Sequence, residues 1–245
     1  MNTHEQRHRN AHLGDKTLFS GGRLLRLHQA VYDLCWLLNR GYARPSAIKL
    51  VGDHYQLLKR QRLAIARAAC SDASRELRSG KCLPVEAVKD RQLVIDGFNL
   101  IITIETLMAG GVVLRCRDGC IRDIAGIHGT YRQVNETGKA IALIGGVLES
   151  FSPENVLWLF DRPVSNSGRL AVLVREIAQE QGWSWQTALI DNPDQFIIRA
   201  EQVAITSDSA VLDAVEQWVN LGAYIVSHFF PAAWVIDFSN SNGPV

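Results

Sequence analysis

Four short apolar runs in this chain end in an aspartate: Gln92-Leu93-Val94-Ile95-Asp96, Val156-Leu157-Trp158-Leu159-Phe160-Asp161, Thr187-Ala188-Leu189-Ile190-Asp191 and Val203-Ala204-Ile205-Thr206-Ser207-Asp208. Apolar runs of this length are buried parallel strands in outline. Asp is a poor strand residue and rarely sits buried without a partner. A single strand-end Asp is readily explained as a helix N-cap or a turn residue. Four at one sheet edge would repel one another, and a divalent cation is the natural remedy. In an open α/β sheet that edge, the carboxyl ends of the strands, is also where ligands bind.

The elements needed to position those carboxylates are legible around them. Helical stretches are expected at Leu170 to Gln181, Gln195 to Glu201 and Ser209 to Leu221, with a further strand at Ala223-Tyr224-Ile225-Val226. Strands alternating with helices give a parallel sheet covered on both faces. Upstream, Leu24, Leu27, Val31, Leu34, Cys35 and Leu38 form a helical stripe ending at Gly41, a residue suited to a left-handed C-cap. Shorter helices are expected at Ala47 to Val51 and Gln56 to Ala69, and Ser79-Gly80-Lys81 with Pro84 reads as a linker. The expected organisation is a basic all-helical domain over residues 1–85, then an α/β domain over 86–245. Residues 1–90 hold 16 of the 26 Lys and Arg but 8 of the 25 Asp and Glu, a balance of +8 against −7 for the remainder. One half is suited to a polyanion and the other to divalent cations, although a solvated basic helix face gives the same count.

With these residues in view the chain resembles a known group. Val94-Ile95-Asp96-Gly97-Phe98-Asn99-Leu100 is similar to the opening strand and D-G-[FY]-N motif of PIN-like nucleases of the NYN type. Ile205-Thr206-Ser207-Asp208 resembles their late T-[GS]-D motif, Phe160-Asp161 their middle strand, and Leu221-Gly222-Ala223 the turn before their last strand. Asp191 or Asp194 stands where these domains place another acid. Leu37-Leu38-Asn39-Arg40-Gly41-Tyr42 and Val51-Gly52-Asp53-His54-Tyr55 also resemble an uncharacterised family that pairs a helical N-terminal domain with a PIN-like one. The resemblance implies a PIN-like, Rossmannoid three-layer fold and phosphodiester hydrolysis by water activated on Mg²⁺ or Mn²⁺. It implies Asp96, Asp161 and Asp208 as metal ligands, Asp194 or Asp191 as a further ligand or water-positioning group, and Asn99 orienting Asp96. RNA is the implied substrate, with DNA left open, and the basic helical half is the candidate for drawing it in.

A long insert, residues 112–150, separates the first helix from the Asp161 strand. Its Arg122, His128 and Arg132 are candidates for phosphate contact, as are Arg162, Ser165 and Asn166 after Asp161, and Ser207. Gly126 and Gly129 equally suit a turn that these polar residues only stabilise. A non-catalytic RNA-binding or scaffolding protein of the same fold is the alternative. A phosphotransferase is disfavoured, because Asp161-Arg162-Pro163 lacks the second acid of D-x-D and no GxxxxGK[ST] loop occurs. The five cysteines show no zinc-site spacing. No apolar run reaches the roughly 18 residues of a membrane span, and the polar N-terminus has no signal-peptide core. A cytoplasmic, non-membrane protein is expected, with homo-oligomerisation open.

Overall fold

The computed structural model describes residues 8–125 and 129–240. A helical section comes first: α1 (Asp15–Leu18), α2 (Gly21–Asn39), α3 (Arg44–His54), α4 (Lys59–Ala68) and α5 (Asp72–Lys81). The α2 stripe is buried at Leu27, Val31, Leu34 and Cys35 as the spacing required, and Gly41 follows the helix at φ +77°. Two expectations need correction. The second helix is longer than Ala47–Val51, starting at Arg44 with Pro45 in its first turn, where a missing N–H costs nothing. The segment read as a linker closes a helix, α5, started by the Ser71 hydroxyl, which accepts from the Ser74 N–H at 3.1 Å.

The second section runs β1 (Cys82–Leu83), β2 (Gln92–Asp96), α6 (Gly97–Met108), β3 (Val113–Arg115), β4 (Ile121–Asp123), α7 (Thr137–Glu149), β5 (Asn155–Asp161) and α8 (Ser167–Gln181). It continues with β6 (Trp185–Ile190), α9 (Pro193–Arg199), β7 (Val203–Ile205), α10 (Ser209–Ala214), β8 (Trp218–Val219), α11 (Leu221–Phe229) and β9 (Val235–Asp237). Six strands form a parallel sheet in the order β1-β8-β7-β2-β5-β6. Alternation along the central strand sends Leu93 and Ile95 to one core, with α6, α7, α8 and α11. Val94 goes to the other core, with Ile197 of α9 and Val211 and Leu212 of α10. The result is a three-layer α/β sandwich. The chain leaves β2 toward β5 on one side and returns to β7 on the other, so the carboxyl end of β2 is a switch point of the kind where crevices form.

The expected strand at Ala223–Val226 is a helix instead, α11. The Asn220 side chain caps it, accepting from the Ala223 N–H at 3.2 Å, and the edge strand is the two-residue β8 before it. The helix expected from Ser209 to Leu221 accordingly stops at Ala214. The insert is also built differently from a loop. β3 and β4 form an antiparallel hairpin whose turn lies at Cys116–Cys120, with Gly119 at φ +80°, and β9 adds to β3 in parallel. This small sheet lies between the two sections: Val113 and Ile121 face the large core, while Leu114, Ile124, Ile236 and Phe238 pack on α2–α4.

Gly97 shows how tightly the strand end is held. A Cβ there would stand 2.3 Å from the Phe160 ring and 2.9 Å from the Leu159 carbonyl. Backbone cannot yield as a flexible side chain does, so Gly97→Ala is expected to cost about 1–3 kcal/mol. Urea unfolding measures it, and a loss within error of zero would show that the contact relaxes freely.

Candidate functional site

At the carboxyl edge of the large sheet lies a cavity of about 320 Å³ lined by Asp96, Asp123, Asp161, Asp194, Asp208, Asn99, Arg67, Phe98, Ile102 and Val164. Asp96, the last residue of β2, is buried and caps α6. Its Oδ1 accepts from the Asn99 N–H at 3.4 Å, and its Oδ2 accepts from the Asn99 amide and, at 3.0 Å, from the Thr206 hydroxyl. Thr206 in turn accepts from the Asp208 N–H at 3.0 Å. One hydroxyl therefore ties the ends of β2 and β7 together and fixes the spacing of the two acids. Asp208 caps α10, its Oδ1 accepting from the Ala210 and Val211 N–H groups at 2.8 and 3.1 Å.

The electrostatics follow from burial and like charge. Loss of hydration pushes the Asp96 carboxyl up to about 6, against the pull of the Asn99 and Thr206 hydrogen bonds, and the Asp194 charge adds to the rise. Burial also raises Asp161. Asp194, on the open rim in the first turn of α9, is raised first by lost hydration and then by the charges of Asp208 and Asp161. These carboxylates sense one another, and the donor set consists of hard oxygens suited to Mg²⁺ or Mn²⁺. Asp96, Asp161, Asp194 and Asp208 are the residues that would hold such an ion. Among the described residues, no three acidic, His or Cys side chains are already drawn together at ligand spacing.

The other expected residues divide clearly. Asn99 and Asp194 line the acidic cavity. Asp191 does not; it is exposed and pairs with Arg162 at 3.2 Å. Arg162, Ser165 and Asn166 lie away from the cavity lining. Ser165 exchanges backbone hydrogen bonds with Gly129 and Tyr131, and the Asn166 amide donates to the Tyr131 carbonyl at 2.8 Å. Arg132 is exposed, its carbonyl accepting from Arg9. His128 lies outside the described residues. Arg122 is not a free phosphate ligand: it is buried, donating to Asp118 at 2.9 and 2.7 Å, to the Ser207 carbonyl at 2.7 Å and to the Arg67 carbonyl at 3.2 Å. It acts on the site indirectly, by fastening the Ser207–Asp208 loop. Ser207 therefore contributes its carbonyl to that anchor.

Three lining or supporting residues have no role assigned to them by the sequence. Asp123 ends β4, its Oδ1 accepting from the Ala125 N–H at 2.6 Å and pairing with Arg67 at 3.4 Å. Ile121-Arg122-Asp123 repeats the pattern of an apolar strand closed by an acid, and that was the available signal. Thr206 could be found as the Thr of the T-S-D triplet, but Arg67, on α4, had no local signal.

Comparison with known proteins adds relatives. Residues 26–81 match the family described as Protein of unknown function (DUF434). The uncharacterized protein MJ0935 of Methanocaldococcus jannaschii is 32% identical over 188 residues, which is 77% of this chain and 89% of that protein. No solved structure gives a significant match. Residues 85–224, which carry five of the six strands of the large sheet and all five cavity aspartates, match a family model of their own, and the chain belongs to that family, described as Domain of unknown function (DUF5616).

Proposed function

We propose that this protein is a metal-dependent ribonuclease whose acidic cavity works as in PIN-like nucleases. The carrying observation is the convergence of Asp96, Asp161, Asp194 and Asp208, from four separate sheet-end segments, on one cavity. A bound Mg²⁺ or Mn²⁺ would supply a nucleophilic water and neutralise charge on the phosphate. The protein's own part is positioning. Asn99 and Thr206 hold the Asp96 carboxylate in one orientation, and Thr206 sets Asp208 beside it. Asp194 stands at the open rim, where it can orient a water or accept its proton. The D-G-F-N and T-S-D motifs supply the first two of these arrangements, which supports the likeness to the NYN type.

The test is cleavage of a labelled RNA in Mg²⁺ or Mn²⁺ by the full chain and by Asp96→Asn and Asp208→Asn. Asn is a good N-cap, so both variants keep their helix starts. Each is expected to lose activity by at least about two orders of magnitude. RNA that binds yet survives in both metals would instead favour the binding-protein alternative.

A further inference from the structure

Beside the acidic cavity lies a larger one, about 600 Å³, between the helical section and the sheet. Arg67, Asn99, Asp123 and Asp208 line both. The remaining wall carries Arg44 of α3, Ser71, Ser74 and Arg78 of the α5 segment, Arg122 of β4, and Ser209 and Asp213 of α10. Three of its four arginines are already paired: Arg67 with Asp123, Arg78 with Asp118 and Asp213, and Arg122 with Asp118. Arg44 differs. Its guanidinium is half-buried and donates to the Ala66 carbonyl, and among the described residues it forms no ion pair. Burial, then the charges of Arg78 and Arg122, lower its pKa from the ordinary guanidinium value. An unpaired, partly desolvated cation lining a roomy cavity of mixed polar and apolar wall is a site that an anion from solution can complete. Of the three aspartates in the lining, Asp123 and Asp213 are paired with arginines, and Asp208, on the side shared with the acidic cavity, is the carboxylate that the proposed metal ion would neutralise.

We infer that this cavity binds a phosphate of a single-stranded polynucleotide, next along the strand from the phosphate at the acidic cavity, with Arg44 as its principal ligand. This rests on the nuclease reading for the neighbouring phosphate and goes beyond it, because the helical section then contributes a substrate contact. The shared lining lets one strand pass from the arginine side to the carboxylates.

The test is equilibrium binding, read by fluorescence anisotropy with labelled oligouridylate and oligothymidylate, on the full chain without divalent metal so that nothing is cleaved. Arg44→Ala is expected to weaken binding about tenfold and to lower the slope of log K against log salt by about one. Arg44→Lys should recover part of the affinity, and circular dichroism checks that both variants fold. If Arg44→Ala does not fold, the Arg44→Lys loss alone is read: weaker binding supports the site, unchanged binding overturns it. Equal binding by folded Arg44→Ala, or no binding of either oligonucleotide to the unmodified chain, overturns it too. Tighter binding of the uridylate assigns the phosphates to RNA; of the thymidylate, to DNA. Loss of the nuclease reading would show separately, as absence of metal-dependent cleavage.

Discussion

Asp96→Asn is expected to make the protein more stable at neutral pH, by up to about 3 kcal/mol, while removing the proposed cleavage activity. Asp96 titrates near 6 in the folded chain, against an ordinary value of 3.8. Between those values the folded state holds a proton that the unfolded state has released. Stability therefore falls as pH rises through this window, and the whole penalty is present above about 6. Asn carries no charge and escapes it. The gain is reduced because its amide must face the Asn99 amide. Urea unfolding of both proteins, below pH ~4 and above pH ~7, reads the difference directly. The curves should nearly coincide in acid and separate at neutral pH; an equal gap at both would mean Asp96 is not the group being desolvated. Cleavage by the unmodified chain should rise with pH through about 6, as Asp96 loses its proton. Carboxylates maintained at a cost in stability are common in active sites, which supports the role proposed for Asp96.

The second large effect lies behind the site. The Asp118 side chain is 1% exposed and takes Arg78 at 2.6 Å and Arg122 at 2.7 Å. Burial pushes its carboxyl up, but the charges and hydrogen bonds of Arg122 and Arg78 outweigh that and hold it below the usual carboxylate value. Asp118→Ala would leave two buried guanidiniums without their shared counter-charge, and is expected to cost about 3–5 kcal/mol. Replacing a paired network wholesale by apolar residues is a different matter and can be neutral. The paired Asp118 stabilises at neutral pH, and this contribution disappears as pH falls through its depressed folded value. Chemical denaturation tests the variant, and a loss below about 1 kcal/mol would show that water reaches and solvates the arginines. Because Arg122 also holds the Ser207 carbonyl, the variant should loosen the Asp208 loop as well.

Much of this arrangement was legible because it is written locally. β2, β5 and β7 announce themselves as apolar runs buried largely on both faces, the edge strand β6 as a half-buried apolar run, and an acid at the end of such a run marks the sheet edge. Asn99 and Thr206 sit within three residues of Asp96 and Asp208, so the motifs carry their own hydrogen bonds. What failed was what depends on distant contacts. Tyr224, Ile225 and Val226 have strand propensity, yet Asn220 starts a helix there and its apolar face packs into the large core. β3, β4 and β9 are three residues each, too short for a period to show, and two of them meet only through chain closure. Arg122 and Arg44 look alike in the sequence. The hairpin turn brings Asp118, four residues earlier, to the first, and among the described residues the second forms no ion pair.

No helix among the described residues is long and apolar enough to cross a membrane. The proposed chemistry requires the acidic cavity to bind a divalent cation, and a Mn²⁺-soaked crystal of the full chain tests this most directly. Anomalous density is predicted among the Asp96, Asp161, Asp194 and Asp208 carboxylates, and should vanish in Asp96→Asn. A cavity that stays empty at saturating Mn²⁺, or an ion bound only elsewhere, would contradict it.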